Sequence, residues 1–134
     1  MLVLTRSIHE NIFIGTAVTD RSTFEKNITV CLMPATTNTK CILRLIHKDR
    51  WDVEQDLKCE HTGIRHISTF KDAPEIVYVL LLPEEELLIY GEISIKVFPV
   101  GEGKYKFGMS APQSISFVRA ELMTTNDCEK ERIA

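Results

Sequence analysis

Apolar residues in this chain come in short alternating runs separated by turn signals, a spacing that suits strands and leaves little room for helices. The opening "MLVLTRS" puts Leu2, Leu4 and Arg6 on one face of a period-two pattern. "NITVCLMP" (27–34) and "TKCILRLIH" (39–47) flank the polar "ATTNT", a hairpin signal. "EIVYVLLLP" (75–83) stops at Pro83, and "EELLIYGEISIKVFP" (85–99) reads as two strands broken at Gly91. "VGEGK" (100–104) turns the chain into "KYKFGMS" (104–110), and "APQ" (111–113) turns it again into "SISFVRAEL" (114–122). Only "RWDVEQDLKCE" (50–60) and the tail that starts at Ala120 read as short helices. The expected fold is all-β, a mainly antiparallel small barrel or sandwich with a short C-terminal helix.

The chain also repeats itself. "MLVLTRSIHENIFIG" (1–15) lies over "VYVLLLPEEELLIYG" (77–91), with Glu10 over Glu86 and Gly15 over Gly91. "ITVCLMP" (28–34) lies over "ISIKVFP" (93–99), "KCILRLI" (40–46) over "KYKFGMS", and "WDVEQDL" (51–57) over "ISFVRAE" (115–121). The domain reading is a first degenerate unit at 1–60, a linker at 61–76 and a second unit at 77–134.

Bulk composition narrows the function classes. A chain of 134 residues with 44% hydrophobic and 26% charged residues is ordinary for a globular domain. It has no apolar run of membrane-spanning length and no basic-then-apolar leader, so the expected location is cytoplasmic, with no membrane partner. Cys31, Cys41, Cys59 and Cys128 are widely spaced and form no zinc pattern, so reduced thiols are expected and no cofactor or metal is implied. Net charge is −3, which argues against non-specific nucleic-acid binding and leaves only local patches and specific contacts. No phosphate-binding glycine loop and no nucleophile motif is present, so no enzyme is expected. Trp51 reads as core, and Glu84, Glu85 and Glu86 as a solvated turn.

Residues 1–15 and 91–122 resemble the carbon storage regulator (CsrA/RsmA) family, bacterial translational regulators that bind messenger RNA. The similarity is carried by "LTR" and the closing "IG" of the first block, and by "FG", the "AP" turn and "VRAEL" in the second. The resemblance implies a homodimer of five-stranded subunits in which the first strand of one pairs with the last strand of the other. In a duplicated chain, strand 1–7 would then pair with strand 114–120, giving a dimer fused into one polypeptide. The rival architecture is one family domain (1–15 plus 91–134) with an insertion at 16–90.

By the same resemblance, RNA contacts fall on Leu4 and Arg6 of the first strand and on Phe117, Val118 and Arg119 of the last, with Leu122 just beyond. The implied target is a GGA element in single-stranded or hairpin mRNA or a small RNA, with no DNA partner. Arginine suits the task, because its donor fork matches guanine edges or phosphate and stacks on bases. Leu4 and Phe117 would offer apolar surface beneath unstacked bases. The family's second arginine is Ser7 here, and its polar residue before the key arginine is Val118. In the repeat alignment Arg6 falls over Leu82, and Arg119 over Gln55 or Glu54, so one composite site per chain is expected. The alternative function is a protein-interaction module that pairs with a conventional family member or with itself.

Overall fold

The computed structural model describes residues 2–16, 25–34, 36–37, 39–59, 67–83 and 85–120. The first strand, β1 (Leu2–Ser7), buries Leu2, Leu4 and Arg6 and leaves Val3 and Thr5 exposed, as its period-two pattern requires. β2 (Asn11–Thr16), β3 (Glu25–Leu32) and β4 (Cys41–His47) follow, each sending alternate residues into the core. The only helix among the described residues is α1 (Val53–Asp56), a single turn running into β5 (Leu57–Cys59). Then come β6 (Ile67–Thr69), β7 (Ile76–Leu81), β8 (Leu87–Ile89), β9 (Ile93–Gly101), β10 (Lys104–Ser110) and β11 (Ile115–Arg119). The expected C-terminal helix lies outside the described residues.

The strands form two antiparallel sheets, ordered β1-β10-β9-β8-β5 and β11-β2-β3-β4-β7-β6. One apolar cluster draws on both, with Phe107, Ile95 and Ile89 of the first sheet and Ile14, Leu43 and Val79 of the second all at most 1% exposed. Trp51 is part of it, its indole N–H donating to Leu45 O at 3.1 Å. β6 lies within the segment expected to be a linker and pairs with β7. Among the described residues, no helix is long and apolar enough to cross a membrane.

Turn chemistry fixes the hairpins. Glu102 (φ 58°) and Gly103 (φ 71°) are both left-handed between the paired residues Gly101 and Lys104, as a two-residue hairpin turn with the sheet's twist demands. The break expected at Gly91 is there too: Tyr90 (φ 57°) and Gly91 (φ 71°) turn the chain, and Glu92 N donates to Ile89 O at 3.1 Å.

One expectation is corrected. β1 does not pair with the last strand; it pairs with β10, Leu2 opposite Met109, Leu4 opposite Phe107 and Arg6 opposite Tyr105. β11 pairs instead with β2, Phe117 opposite Ile14 and Arg119 opposite Ile12. The reason lies in the connections. The short turn after β1 carries the chain from one sheet to the other, and so does the turn between β10 and β11. β1 and β11 therefore end up as the outer strands of different sheets.

Both sheets interleave the two halves of the chain. The first takes β1 and β5 from the N-terminal half around β8, β9 and β10, and the second takes β7 and β11 around β2, β3 and β4. Exchanging β1–β5 with β7–β11 converts one strand order into the other, apart from the added β6.

Candidate nucleic-acid interface

The candidate residues gather at the corner where β1 ends and β2 begins. Ser7 N donates to Glu10 Oε1 at 2.6 Å, and Glu10 N donates to Ser7 O at 3.2 Å, closing a tight turn with left-handed His9 (φ 73°). His9 N donates to Leu32 O at 2.9 Å and ties the turn to β3. This turn delivers Asn11 to the second sheet.

Arg6 answers to that corner. Its side chain is 3% exposed, and its Nη2 donates to Asn11 O at 2.9 Å, so it links the edge of the first sheet to the second. Burying a guanidinium is costly unless its donors are used, and a backbone carbonyl serves one of them. Arg119, half-buried, stands across from Ile12, the next residue of β2. The two arginines are thus tied to neighbouring residues of β2, Arg6 by its hydrogen bond to Asn11 O and Arg119 by backbone register with Ile12, although their strands do not pair. A third joins them: Asn11 is opposite Cys31, and Cys31 is opposite Arg44. Burial pushes the Cys31 thiol above its ordinary range, and the positive charges of Arg44 and Arg6, together with a hydrogen bond to the His9 backbone, oppose that rise.

The remaining candidates are less accessible than expected. Leu4 (3%), Phe117 (2%) and Val118 (0%) are closed into the protein and offer no open surface for bases. Leu4 and Phe117 face inward because the same parity that buries Leu2 and Ile14 buries them. Leu122 lies outside the described residues. Arg44 escaped sequence reasoning. The available signal was a single basic residue among the outward positions of "CILRLIH", where Ile42 and Ile46 are its neighbours on that face.

The opposite corner is different. Matching strands by register sets Leu2, Leu4 and Arg6 against Val77, Val79 and Leu81, and Phe117, Val118 and Arg119 against Leu57, Lys58 and Cys59. This replaces the sequence alignment of Arg6 with Leu82 and of Arg119 with Gln55 or Glu54. The turn confirms the register: Leu82 N donates to Glu85 Oε1 at 3.1 Å and Glu85 N to Leu82 O at 3.0 Å, as Ser7 and Glu10 do. Glu85, not Glu86, is thus the counterpart of Glu10. The arginine positions are occupied there by buried Leu81 and Cys59, and β6 covers the flank of β7 that β1 lacks among the described residues.

No family model matches this chain, and no curated protein or solved structure matches it significantly.

Proposed function

We propose that this protein is an RNA-binding post-transcriptional regulator of the carbon storage regulator type, a fused pseudo-dimer that reads a GGA-type element in an mRNA leader or small RNA at one composite site. The observation that carries the reading is that Arg6 and Arg119, on the end strands of the two sheets, are tied to the adjacent β2 residues Asn11 and Ile12. The interleaved strand order and the doubled Ser7–Glu10 and Leu82–Glu85 turns support the fused dimer. Leu81 and Cys59 at the opposite corner, with β6 beside them, support a single site.

In this reading Arg119 contacts the RNA and supplies the donor fork for a guanine edge or phosphate. Arg6 is a positioning residue, which holds the β1–β2 corner and adds positive potential from inside. Leu4, Phe117 and Val118 support the surface from beneath. Occupying a leader near the ribosome-binding site is the mechanism the family resemblance implies, and it requires no cofactor.

Titration of a GGA-bearing hairpin RNA with the full chain tests this. Binding at one chain per RNA is expected, with Arg119→Ala weakening it at least tenfold, since a charge-assisted hydrogen bond is worth about 1.5–3 kcal/mol. Absence of binding by the wild-type chain at physiological salt overturns the reading. A second reading, a module that joins a conventional family member, draws on β1 as an end strand with exposed Val3 and Thr5, a geometry open to strand addition. Complex mass with and without such a partner separates the two.

A further inference from the structure

The two sheets present very different outer faces. The strands of the first sheet, "LVLTRS", "KYKFGMS", "ISIKVFPVG", "LLI" and "LKC", contain Arg6, Lys58, Lys96, Lys104 and Lys106 and no acidic residue. Arg6 points into the core. The parity of each strand puts Lys58, Lys96, Lys104 and Lys106 outward, with Lys96 half-buried and the other three exposed.

Register places Lys96, Lys104 and Lys106 side by side, with Lys58 two strands beyond β9, across β8. Lys106 is opposite Thr5 on one flank and Phe98 on the other, and Lys96 is opposite Gly108. Lys104 and Lys106 share a face of β10 two residues apart, a spacing of about 7 Å. Lys96 lies diagonal to Lys106, a separation of about 7–8 Å. Half-buried Phe98 sits among them on the same face. One carboxylate lies within the array, that of Glu86, whose Oε2 accepts from Ser94 Oγ at 2.6 Å on the strand of Lys96, and Glu92 and Glu102 border it in the turns.

General solubility does not explain this arrangement. In a chain of net charge −3, a solubilising surface mixes signs. The register counterparts of Lys96, Lys106 and Lys58 on the second sheet are Cys31, Ile42 and Val118, and only Lys104 has a basic counterpart, Lys40, so three of the four lysines are particular to this sheet. Lysines surrounding an aromatic ring are the chemistry of a single-stranded nucleic-acid track, in which cations follow the backbone and the ring takes a base. β1, the strand that carries Arg6 on its inward face, forms one edge of this sheet.

We infer that the outer face of the β1-β10-β9-β8-β5 sheet is a second RNA contact surface, which binds single-stranded sequence flanking the element held at the corner. Lys58, Lys96, Lys104 and Lys106 engage phosphates, and Phe98 stacks on a base. The inference rests on the RNA-binding reading above and extends it from the element to its flank.

The test uses the full chain and three RNAs: a GGA hairpin, the same hairpin with an A/U-only single-stranded tail, and the tail alone. Affinity is measured across a salt series for wild type, Arg119→Ala and a variant with all four lysines changed to Gln. The tail is expected to tighten wild-type binding and to steepen the dependence of log K on log salt by about 0.7 per lysine engaged. The Gln variant is expected to lose the tail's increment and keep the Arg119-dependent hairpin affinity. Phe98→Ala is expected to lose part of the increment without changing the salt slope. If tailed and untailed hairpins bind wild type with equal affinity and slope, the second surface is refuted while the corner site stands. If the tail alone binds wild type but not the Gln variant, and Arg119→Ala leaves it unaffected, the surface stands whatever happens at the corner. If wild type binds none of the three, both readings fall.

Discussion

Arg6 is buried at the edge of the first sheet, where its guanidinium ties that sheet to the second. A buried guanidinium beside Leu2, Leu4 and Tyr105 contributes little net stability, because lost hydration offsets what its hydrogen bonds return. Its counterpart in the other half, Leu81, fills the matching position with hydrocarbon. Arg6→Leu is therefore expected to leave the urea midpoint unchanged or raise it. Arg6→Ala, which removes the buried stem as well, is expected to cost on the order of 2 kcal/mol. Equilibrium unfolding of the two variants checks this. Both should weaken RNA binding less than Arg119→Ala does, since Arg6 acts from within. A larger RNA defect for Arg6→Leu than for Arg119→Ala, with stability intact, would make Arg6 the direct contact.

At the scale of elements, the end of β4 is tied to the β8–β9 turn by aromatic side chains. His47 Nδ1 accepts from Asp49 N at 2.9 Å, so the ring carries its proton on Nε2 and donates it to the Tyr90 hydroxyl. Trp51 stacks against Tyr90 with ring centroids 6.2 Å apart. Burial, then the charges of Asp56 and Asp49, push the Tyr90 phenol up from its ordinary 10 to about 12. A phenol is neutral when protonated, and the folded state holds this proton more tightly than the unfolded chain. Stability is thus unaffected below about pH 10 and falls as pH rises from about 10 to about 12. Melting temperatures across that range should decline for wild type, and Tyr90→Phe should flatten the decline while lowering the neutral-pH value through the lost hydrogen bond. Much at this scale was legible from sequence. Alternation located β3, β4, β7, β9 and β10, "KYKFGMS" matches β10 residue for residue, and the left-handed positions at Gly91 and Gly103 marked turns. β6 was not legible, because "IST" is three largely exposed residues with no period to read. The strand correspondence differs from the alignment by one position at the first strands, because Tyr90 stands between Ile89 and Gly91 while Gly15 follows Ile14 directly, and the turn of α1 displaces β5 from where "WDVEQDL" put it. Partner choice was the real failure: β1 finds β10 because the Ser7–Glu10 turn changes sheets, and a sheet-changing turn looks like a hairpin turn in sequence. For the same reason the link of Arg6 and Arg119 to adjacent residues of β2 could be anticipated only as strand pairing, and Arg44 was invisible until register placed it opposite Cys31.

On the scale of the whole molecule, neither half holds a complete sheet. β1 and β5 are flanking strands for β8–β10, and β7 and β11 are flanking strands for β2–β4. Loss of one half removes strands from both sheets and opens one shared core. A single cooperative unfolding transition is expected, with fluorescence of the lone Trp51 and far-UV circular dichroism giving coincident curves. Two separated transitions would mean that the halves are independent units after all. The long-range pairing also has a temporal side. The ribosome makes β1 well before its hydrogen-bonding partner β10, with β2 to β9 between them. Until β10 is made, the nascent chain carries an apolar strand with Leu2 and Leu4 whose proper neighbour does not yet exist. Closure of the first sheet therefore waits for β10, and a product terminated before β10 is left with an unsatisfied β1, a ready substrate for chaperones and proteases.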